Sequence, residues 1–551
     1  MRRTTAQKCR RPKQLGLPIS RPGSSNSSNS NNNSSNSNNS NSNNNQNSSS
    51  TDVSSVRIEH TAQRGYILCA RRPFAAGETV AVEAPLLYLP RQRKVSPAGR
   101  AFRRRFRKLD PIHWTSYEIF RAQSTSVREA VLDLYCPMQS RFTRRLAKTL
   151  RRCGGLSGLD ANTNNGKNHN NSNNNNNSTS NNTTSSSSNN NDSSSNNNSN
   201  EEEFLQCVTA LHFNQFSSNP VRPDGSGPLT QGCRAVYRTL CRANHSCAPN
   251  CFARTSSVSA AQDVPPPRVI RAVKPILAGE ELTISYHLQL EDSSSARRKY
   301  LLSTKEFLCE CSRCGSSWDD TRRFACCRCF GGYHLAAAAA TPPATTTTTT
   351  TAAAAAAAAA SQKQMLSPCM QCGCALSSPE CRRQLRIEAE VQQKLAYINS
   401  VLEWRASLDA SDDEGSGCND SDEDPEDLRS ILASLRLHPH HHLTLKIAEL
   451  QRQFATHDND TAALVHALRL LAACHVAIVP WDLVSASRFE SLGEVLEGAG
   501  LLQEAAAAHR KCLRMMCVLQ DPGEPYPRHA ADSLIRVLSR QGVSDMVAAD
   551  R

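Results

Sequence analysis

Cysteine is concentrated in one stretch of this chain, and that concentration constrains the fold more than any other feature. Thirteen of the 23 cysteines lie between Cys241 and Cys381, several of them at C-x2-C or C-x-C spacing. The first 22 residues are basic but lack the apolar core of a secretory signal, so we expect the protein to stay in a reducing compartment. Clustered cysteines in such a compartment predict structural zinc sites and not disulfides.

Low-complexity segments interrupt the chain and limit how much of it can build a core. Residues 24–50 and 161–200 are almost wholly Asn and Ser, 336–360 almost wholly Ala and Thr, and 409–427 are acidic with Ser and Gly. Such segments cannot bury enough apolar area to offset the entropy of ordering them, so we predict disordered insertions. The remaining residues suffice for two or three domains.

The net charge of +14 comes largely from the N-terminal tail and from a basic patch between Arg91 and Lys108. The patch is suited to nucleic acid or an acidic protein, although a solvated helical face is the commoner explanation. The tail is a solvated basic segment or a nuclear signal, with a mitochondrial address as an alternative. No apolar run approaches the 18 or more residues of a membrane helix, so we expect no membrane partner.

Residue patterns divide the chain into β and helical regions. Short strand patterns broken by turns fill Val56 to Pro90, including Tyr66 to Cys69 and Thr79 to Glu83. A helical pattern follows from Ala101 to Leu150, and strand patterns return from Ala235 to Tyr286, with the prolines at 265–267 marking a hairpin tip.

Beyond the cysteine region the chain is predicted to be helical to its end. Apolar residues recur from Ile387 to Leu402 at spacings of three and four, as one buried helical face requires. The stretch from Ser491 to Cys517 follows the small and large positions of a tetratricopeptide helix-turn-helix, and an ordinary helical hairpin explains it equally well.

Three motifs follow one another in the middle of the chain. They are N-H-S-C-x-P-N from Asn244 to Asn250, G-E-E-L-T-x-x-Y from Gly279 to Tyr286, and C-x-C-x2-C from Cys309 to Cys314. In this order they resemble the SMYD group of SET-domain protein lysine methyltransferases. The opening segment from Gly65 to Pro85 resembles the arthropod SMYD subgroup, and the helical tail fits the family's tetratricopeptide-like C-terminal domain. The resemblance therefore spans roughly residues 56 to 540, interrupted by the low-complexity insertions.

The resemblance implies an α+β protein with a β-rich SET core, a Cys-rich zinc-binding post-SET segment and an α-helical tetratricopeptide-like C-terminal domain. The expected boundaries are a tail at 1–51, a SET domain at 52–290 with an insertion at about 91–234, a post-SET segment at 291–381, and a helical domain at 382–551 with its acidic loop at 409–427. Residues 91–240 lack finger-like cysteine spacing, so the family's MYND finger is expected to be absent.

The implied activity is methyl transfer from S-adenosyl-L-methionine to a protein lysine, histone or non-histone. Transfer from a sulfonium donor requires a cleft that holds the donor and a channel that aligns a neutral amine with the methyl carbon. Glycine at 65 lets backbone approach a ligand closely. The resemblance implies that Tyr286 is catalytic, that the donor is also held by Asn244, His245 and Phe307, and that Phe216 lines the lysine channel. Aromatic walls suit an alkylammonium.

Zinc is the implied second cofactor. Cys309, Cys311 and Cys314 supply three thiolates, and by family resemblance Cys247 is the fourth ligand of a closed tetrahedral site. Two C-x2-C pairs predict a second site, with the Ala/Thr segment looping out between them: Cys326 with Cys329 and Cys369 with Cys372. Three further cysteines could replace one of these ligands: Cys327, Cys374 and Cys381. Four others are expected to be buried apolar residues: Cys69, Cys474, Cys512 and Cys517.

Three positions depart from the family pattern. Ile67 replaces a glycine of the opening loop, Arg242 replaces an aliphatic residue before Asn244, and Lys305 stands where related enzymes often have a second channel tyrosine. These departures favour one alternative, a catalytically silent SET scaffold that binds partners through its helical domain. The basic charge favours another, a zinc-dependent chromatin or nucleic-acid adaptor. We expect a monomer in the cytoplasm, the nucleus or both.

Overall fold

The computed structural model describes residues 52–90, 95–156, 192–217, 233–256, 267–287, 289–338, 365–408, 425–479 and 481–542. Within these ranges small β-sheets are mixed with helices, and the C-terminal region is helical, as the expected α+β class requires. Several segments predicted to be disordered lie outside the described residues: the tail, residues 161–191, most of the Ala/Thr segment and the acidic loop up to residue 424.

Short strands form five small sheets in the described ranges. The strands are β1 (Val56–Thr61), β2 (Gly65–Ala70), β3 (Thr79–Glu83), β4 (Leu87–Leu89), β5 (Phe216–Ser217), β6 (Arg234–Val236), β7 (Asn244–His245), β8 (Cys251–Thr255), β9 (Arg268–Ala272), β10 (Thr283–Ile284), β11 (Trp318–Ala325) and β12 (Tyr333–Ala337). β1 pairs with β2 and β11 with β12, while β9 lies between β3 and β8 and β6 between β4 and β5. The fifth sheet consists of β7 and β10, which run parallel, whereas the strand pairs of the other four sheets are antiparallel.

Helices occur as an inserted group, one helix before the cysteines, and a C-terminal series. The inserted helices are α1 (Pro97–Arg105), α2 (Ile112–Arg121), α3 (Thr125–Leu132), α4 (Arg141–Arg152) and α5 (Asp192–Asn214), and α6 spans Ser294–Thr304. The C-terminal series is α7 (Ser378–Leu408), α8 (Pro425–Ser434), α9 (His442–His457), α10 (Thr461–Ile478), α11 (Leu483–Gly498), α12 (Leu502–Leu519) and α13 (Pro525–Arg540).

The inserted helices pack around an aromatic core of their own. The ring of Phe102 stacks on Trp114 with 5.3 Å between centroids, and Phe204 meets Tyr117 edge-on at 5.1 Å. Buried residues of α5 recur from Phe204 through Cys207 and beyond at helical spacing, which fixes this helix against α2, α3 and α4.

One expected boundary of the Asn/Ser insertion is wrong. Residues 192–200 were predicted to belong to a disordered segment, yet α5 begins at Asp192. Forming the first turn of a helix is unfavourable in free energy, whereas adding residues to a turn that has already formed costs much less free energy. Since Phe204 and the residues after it anchor the helix in the core, its first turns extend into Asn and Ser residues of weak helix propensity.

The C-terminal helices and the cysteine region share one hydrophobic core. This cluster contains Cys247, Cys309 and Cys314 together with Leu445 of α9, and it continues through α10 to α13. The α11–α12 pair shows how closely the helices approach. A Cβ atom on Gly493 would lie 2.5 Å from the His509 ring, so glycine at 493 is required for this packing.

The expectation that no segment has the length and apolarity of a membrane span is wrong for α10. Its 18 residues have a mean hydropathy of 1.7, which by length and composition alone would allow it to cross a membrane. Core helices pass the same test. Here α10 packs between α9 and α11, and its residues Leu468, Leu471 and Cys474 are buried in the shared core.

Two buried arginines join the β3–β9–β8 sheet to the C-terminal helices. Arg254 donates to Glu524 at 2.8 Å, and Arg271 pairs with Asp521 while donating to the carbonyl of Val518 at 3.2 Å. Both acceptor carboxylates lie where α12 ends and α13 begins. Because a buried guanidinium needs a partner, these contacts fix the junction of the two helices against the sheet.

Candidate functional site

The first two sequence motifs lie side by side. Strand β7 pairs in parallel with β10, so that Asn244 is level with Thr283 and His245 with Ile284. Asn250, the last residue of the first motif, is buried, and its side chain is both a donor and an acceptor of hydrogen bonds with the backbone of the second motif. Its amide nitrogen donates to the carbonyl of Glu281 at 2.8 Å, and its amide oxygen accepts the Thr283 N–H at 2.8 Å.

His245 connects the second motif to the cysteine cluster. Its Nδ1 accepts the backbone N–H of Tyr286 at 3.0 Å, so the ring proton is on Nε2. Nε2 lies 3.2 Å from Sγ of Cys247 and donates to that sulfur. Burial lowers the pKa of His245 to about 4, which keeps the imidazole neutral at physiological pH. One side chain therefore positions the backbone of Tyr286 relative to Cys247.

The hydroxyl of Tyr286 is held in a defined orientation. It donates to the carbonyl of Ala243 at 2.7 Å, directly before the Asn244–His245 pair. With its proton committed to that bond, the oxygen presents its lone pairs as an acceptor. Burial raises the pKa of Tyr286 well above its usual value, so the phenol is neutral at physiological pH. Phe307 faces the tyrosine edge-on with 6.4 Å between ring centroids.

Gly65 lies near Asn244, whose side chain contacts the residue that follows Gly65. Gly65 has a φ of +65°, and a Cβ at this position would find no atom within 4 Å, so open space adjoins the backbone here. The amide of Asn244 donates to the Tyr66 carbonyl at 3.2 Å and to Glu281 at 3.1 Å. The structure thus brings four of the predicted donor-binding residues to one region: Asn244, His245, Tyr286 and Phe307, with Gly65 at its margin.

Lys305 also reaches this region. Its Nζ donates to the Phe213 carbonyl at the end of α5 at 3.1 Å and lies 5.6 Å from the centroid of the Tyr286 ring. Burial lowers the pKa of Lys305. Phe216, the predicted channel residue, lies against Tyr237, with 5.8 Å between ring centroids, and beneath the guanidinium of Arg268.

The other two departures from the family pattern are accommodated by the fold. Ile67 is buried in β2, opposite Glu59 of β1. Arg242 is buried, donates to the carboxylate of Asp133 at 2.8 Å, and places its guanidinium 4.3 Å from the centroid of Tyr66. Arg242 therefore ties the Asn244–His245 strand to the end of α3.

Four thiols come together in the core against which Tyr286 packs. They form the first cysteine cluster, which consists of Cys247, Cys309, Cys311 and Cys314. Sγ of Cys247 lies 4.0 Å from that of Cys309 and 3.5 Å from that of Cys314. A tetrahedral zinc with Zn–S bonds of about 2.3 Å requires sulfurs about 3.8 Å apart, so the donor set fits the metal. Contact with Cys309 raises the pKa of Cys247, and four thiolates at this spacing need a cation.

Buried arginines surround the first cysteine cluster. Arg298 donates to the carbonyls of Cys309 at 3.2 Å and Cys314 at 2.6 Å, and Arg313 donates to the carbonyl of Cys247 at 3.1 Å. Nη2 of Arg297 lies 3.8 Å from Sγ of Cys314. Positive charge outside the thiols suits a zinc tetrathiolate, whose net charge is negative.

The second cysteine cluster, formed by Cys326, Cys329, Cys369 and Cys372, lies at the end of the β11–β12 hairpin. Cys326 and Cys372 sulfurs are 3.8 Å apart and those of Cys329 and Cys369 are 3.7 Å apart, again matching a tetrahedral edge. Of the possible substitutes, Cys327 is exposed and Cys381 is buried in a separate hydrophobic cluster, whereas Cys374 lies 3.3 Å from Cys326.

Several residues that shape the site were not singled out from the sequence as its functional groups. Asn250 was quoted only as the end of a motif, and the Ala243 carbonyl carries no side-chain signal at all. The arginines around the first cysteine cluster have no distinctive spacing in the sequence. His245, read as a donor contact, also links Tyr286 to Cys247, and only the parallel pairing of two strands reveals that link.

A sequence model of the SET domain matches residues 65–287, which spans the two paired motifs and the inserted helices. This match shows that the chain carries a SET domain. The mouse protein "Histone-lysine N-methyltransferase SMYD3" is 40% identical over 79 residues, and a SET and MYND domain-containing protein of Dictyostelium discoideum is 39% identical over 74 residues. These alignments cover 14% and 13% of this chain, and the chain spans only 16% of the length of either relative.

A solved SET domain of LSMT, bound to lysine and AdoHcy, overlaps 89% of this chain and 88% of its own at 11% identity, with a TM-score of 0.26. An overlap at this TM-score does not define a shared fold.

Proposed function

We propose that the protein is an S-adenosyl-L-methionine-dependent lysine methyltransferase of the SMYD type in which inserted helices α1–α5 stand in place of a MYND finger. The observation that carries the proposal is the hydroxyl of Tyr286, fixed as an acceptor by the Ala243 carbonyl beside the Asn244–His245 pair. Within the described part of this insertion, no three metal-ligating side chains come together. The SET-domain match and the short similarity to SMYD3 support the same activity.

The donor would be held along β7, by Asn244 and His245, with Phe307 beside it and the open space at Gly65 admitting part of it. When bound, S-adenosyl-L-methionine supplies an electrophilic methyl group, and no metal or redox step is needed. The residues of the chain then have to orient a lysine amine, exclude water and accommodate developing positive charge.

Tyr286 supplies the orienting acceptor. Its oxygen can accept an N–H of the incoming amine while its own O–H continues to donate to the Ala243 carbonyl. The raised pKa prevents the phenol from acting as a base at neutral pH, so the amine has to arrive unprotonated. Lys305, when charged, favours this state, because a nearby cation disfavours the ammonium form of a substrate lysine.

We further propose zinc in both cysteine clusters and a tetratricopeptide-type unit in α11–α12, where Gly493 and His509 occupy small and large packing positions. The C-terminal helices then offer a surface for a protein partner. The proposed substrate is a lysine-bearing protein, histone or non-histone. The enzyme itself is proposed to be a monomer in the cytoplasm or nucleus.

Donor binding separates an enzyme from a silent scaffold. Titration of the full-length protein with S-adenosyl-L-methionine in a calorimeter should show about one site per chain, with a dissociation constant on the order of micromolar. Asn244→Ala should weaken binding, because its side chain lies along the proposed donor site. Tyr397→Phe, a change on an exposed residue of α7, is the control and should leave the affinity unchanged. Absence of any binding to the folded wild-type protein would favour the scaffold.

A nucleic-acid function remains as a second candidate because of one surface. On α4, Arg144, Arg145, Lys148, Arg151 and Arg152 recur at helical spacing and are exposed, opposite the buried Leu146 and Leu150. Arg105 donates to the Cys153 carbonyl at 2.8 Å, so the basic C-terminal end of α1 meets that of α4. No described carboxylate forms an ion pair with these five α4 cations.

Duplex binding predicts a specific salt dependence. Replacing Arg145, Lys148 and Arg152 by Gln should weaken binding of a DNA duplex and reduce the slope of log affinity against log salt by about 2 to 3, since each phosphate contact contributes about 0.9. The matched control replaces Arg382, Arg383 and Arg386 of α7, which lie on a different helix, and should change neither quantity. Equal effects of the two triple variants would refute a site on α4.

A further inference from the structure

The second cysteine cluster contains more metal donors than one zinc ion needs. Cys374 lies 3.3 Å from Cys326, inside the about 3.8 Å edge of a zinc tetrathiolate, so a fifth thiol adjoins the four already described. His334 of β12 joins the same group, because its ring nitrogen and the sulfurs of Cys326 and Cys374 all lie within 4.8 Å of one another.

The ring of His334 has the orientation of a metal ligand. Its Nδ1 donates to the carbonyl of Ser367 at 2.8 Å, which leaves the lone pair of the neutral ring on Nε2. The Ser367 backbone is itself fixed, since its N–H donates to the Leu335 carbonyl at 2.8 Å. A histidine that ligates a metal through one nitrogen commonly donates to a backbone carbonyl from the other.

Nε2 of His334 has no hydrogen-bond partner among the described residues, although the side chain is 0% exposed. A buried nitrogen without a partner is unfavourable, and a cation bound to its lone pair removes that penalty.

We propose that the second cysteine cluster holds two zinc ions bridged by the Cys326 thiolate. The first ion is bound by Cys326, Cys329, Cys369 and Cys372. The second is bound by Cys326, Cys374 and His334, which leaves one coordination position for a water molecule. Sulfur and imidazole donors suit zinc among the available divalent metals. This inference rests on the proposal that the second cysteine cluster binds zinc at all.

Zinc analysis of the full-length protein, equilibrated with zinc and then dialysed against metal-free buffer, tests the inference. The wild-type protein should retain about three ions per chain, one in the first cysteine cluster and two in the second. His334→Asn and Cys374→Ser should each retain about two. His334→Cys, which restores a ligand, should retain about three, as should Cys327→Ser, an exposed cysteine outside both clusters.

Cobalt substitution adds a readout that does not depend on the number of metal ions measured per chain. Two Co²⁺ ions bridged by a thiolate should be magnetically coupled, and His334→Asn should restore the signal of an uncoupled ion. Two zinc ions in the wild-type protein, or equal zinc content in the wild type and His334→Asn, would overturn the two-metal cluster. Wild-type protein that retains only one zinc ion, the one expected in the first cysteine cluster, would instead overturn the proposal on which the inference rests.

Discussion

Replacing Cys311 by serine should remove one zinc ion per chain and leave most of the protein unfolded or strongly destabilised. Sγ of Cys311 accepts the Cys247 N–H at 3.3 Å, and the other three sulfurs of its cluster belong to the core shared with the C-terminal helices. Structural zinc contributes on the order of 10 kcal/mol of folding free energy in small domains, comparable with the whole stability of a typical protein.

Metal analysis and thermal unfolding measured on the same samples check this result. Cys327→Ser is the matched control, since that cysteine is exposed and lies outside both clusters, and it should leave zinc content and melting temperature unchanged. A folded Cys311→Ser protein that retains all its zinc would show that the first cysteine cluster is not a metal site.

Replacing Tyr286 by phenylalanine should lower turnover by roughly a hundredfold while leaving donor affinity largely intact. Removal of one group that stabilises charge only in the transition state typically has this effect. The folded state should lose only about 1 kcal/mol, the usual contribution of a hydrogen bond such as that to the Ala243 carbonyl. A merely structural tyrosine would show the stability change without the loss of turnover.

The assay uses labelled donor with histones and cell extract, so that histone and non-histone protein substrates are both present. Tyr300→Phe on α6 is the control, since this tyrosine is partly exposed and stacks on His287 rather than on the proposed site residues. Wild-type protein that transfers methyl groups while Tyr286→Phe retains full turnover would refute the assignment of Tyr286 and leave the fold untouched.

Local elements were predictable because their signals are local. The strands from Tyr66 and from Thr79, and the long helical face from Ile387, follow from the side-chain periodicity of two and of 3.6. The convergence of the C-x-C-x2-C run with Cys247 was expected from family resemblance, and the structure brings these four sulfurs together.

Contacts between distant segments were not predictable in the same way. The parallel pairing of Asn244 with Thr283 joins residues far apart in sequence, and no periodicity specifies it. From the sequence, Arg242 is a departure from the family pattern that favours a silent scaffold, whereas in the structure burial beside Asp133 gives it an ion-pair partner. His334 lacked any metal-binding spacing, because its proximity to Cys326 depends on the register of the β11–β12 hairpin.

The core shared by the cysteine region and the C-terminal helices also bears on how such a protein can evolve. Domain shuffling requires a segment that keeps its own core when it is moved to another chain. Here Cys247 and Cys309 lie in the same core as Leu445 of α9, and Arg271 reaches Asp521 from the neighbouring sheet. Recombination between these halves would separate residues that pack together, so sequence change on one side has to be matched by change on the other.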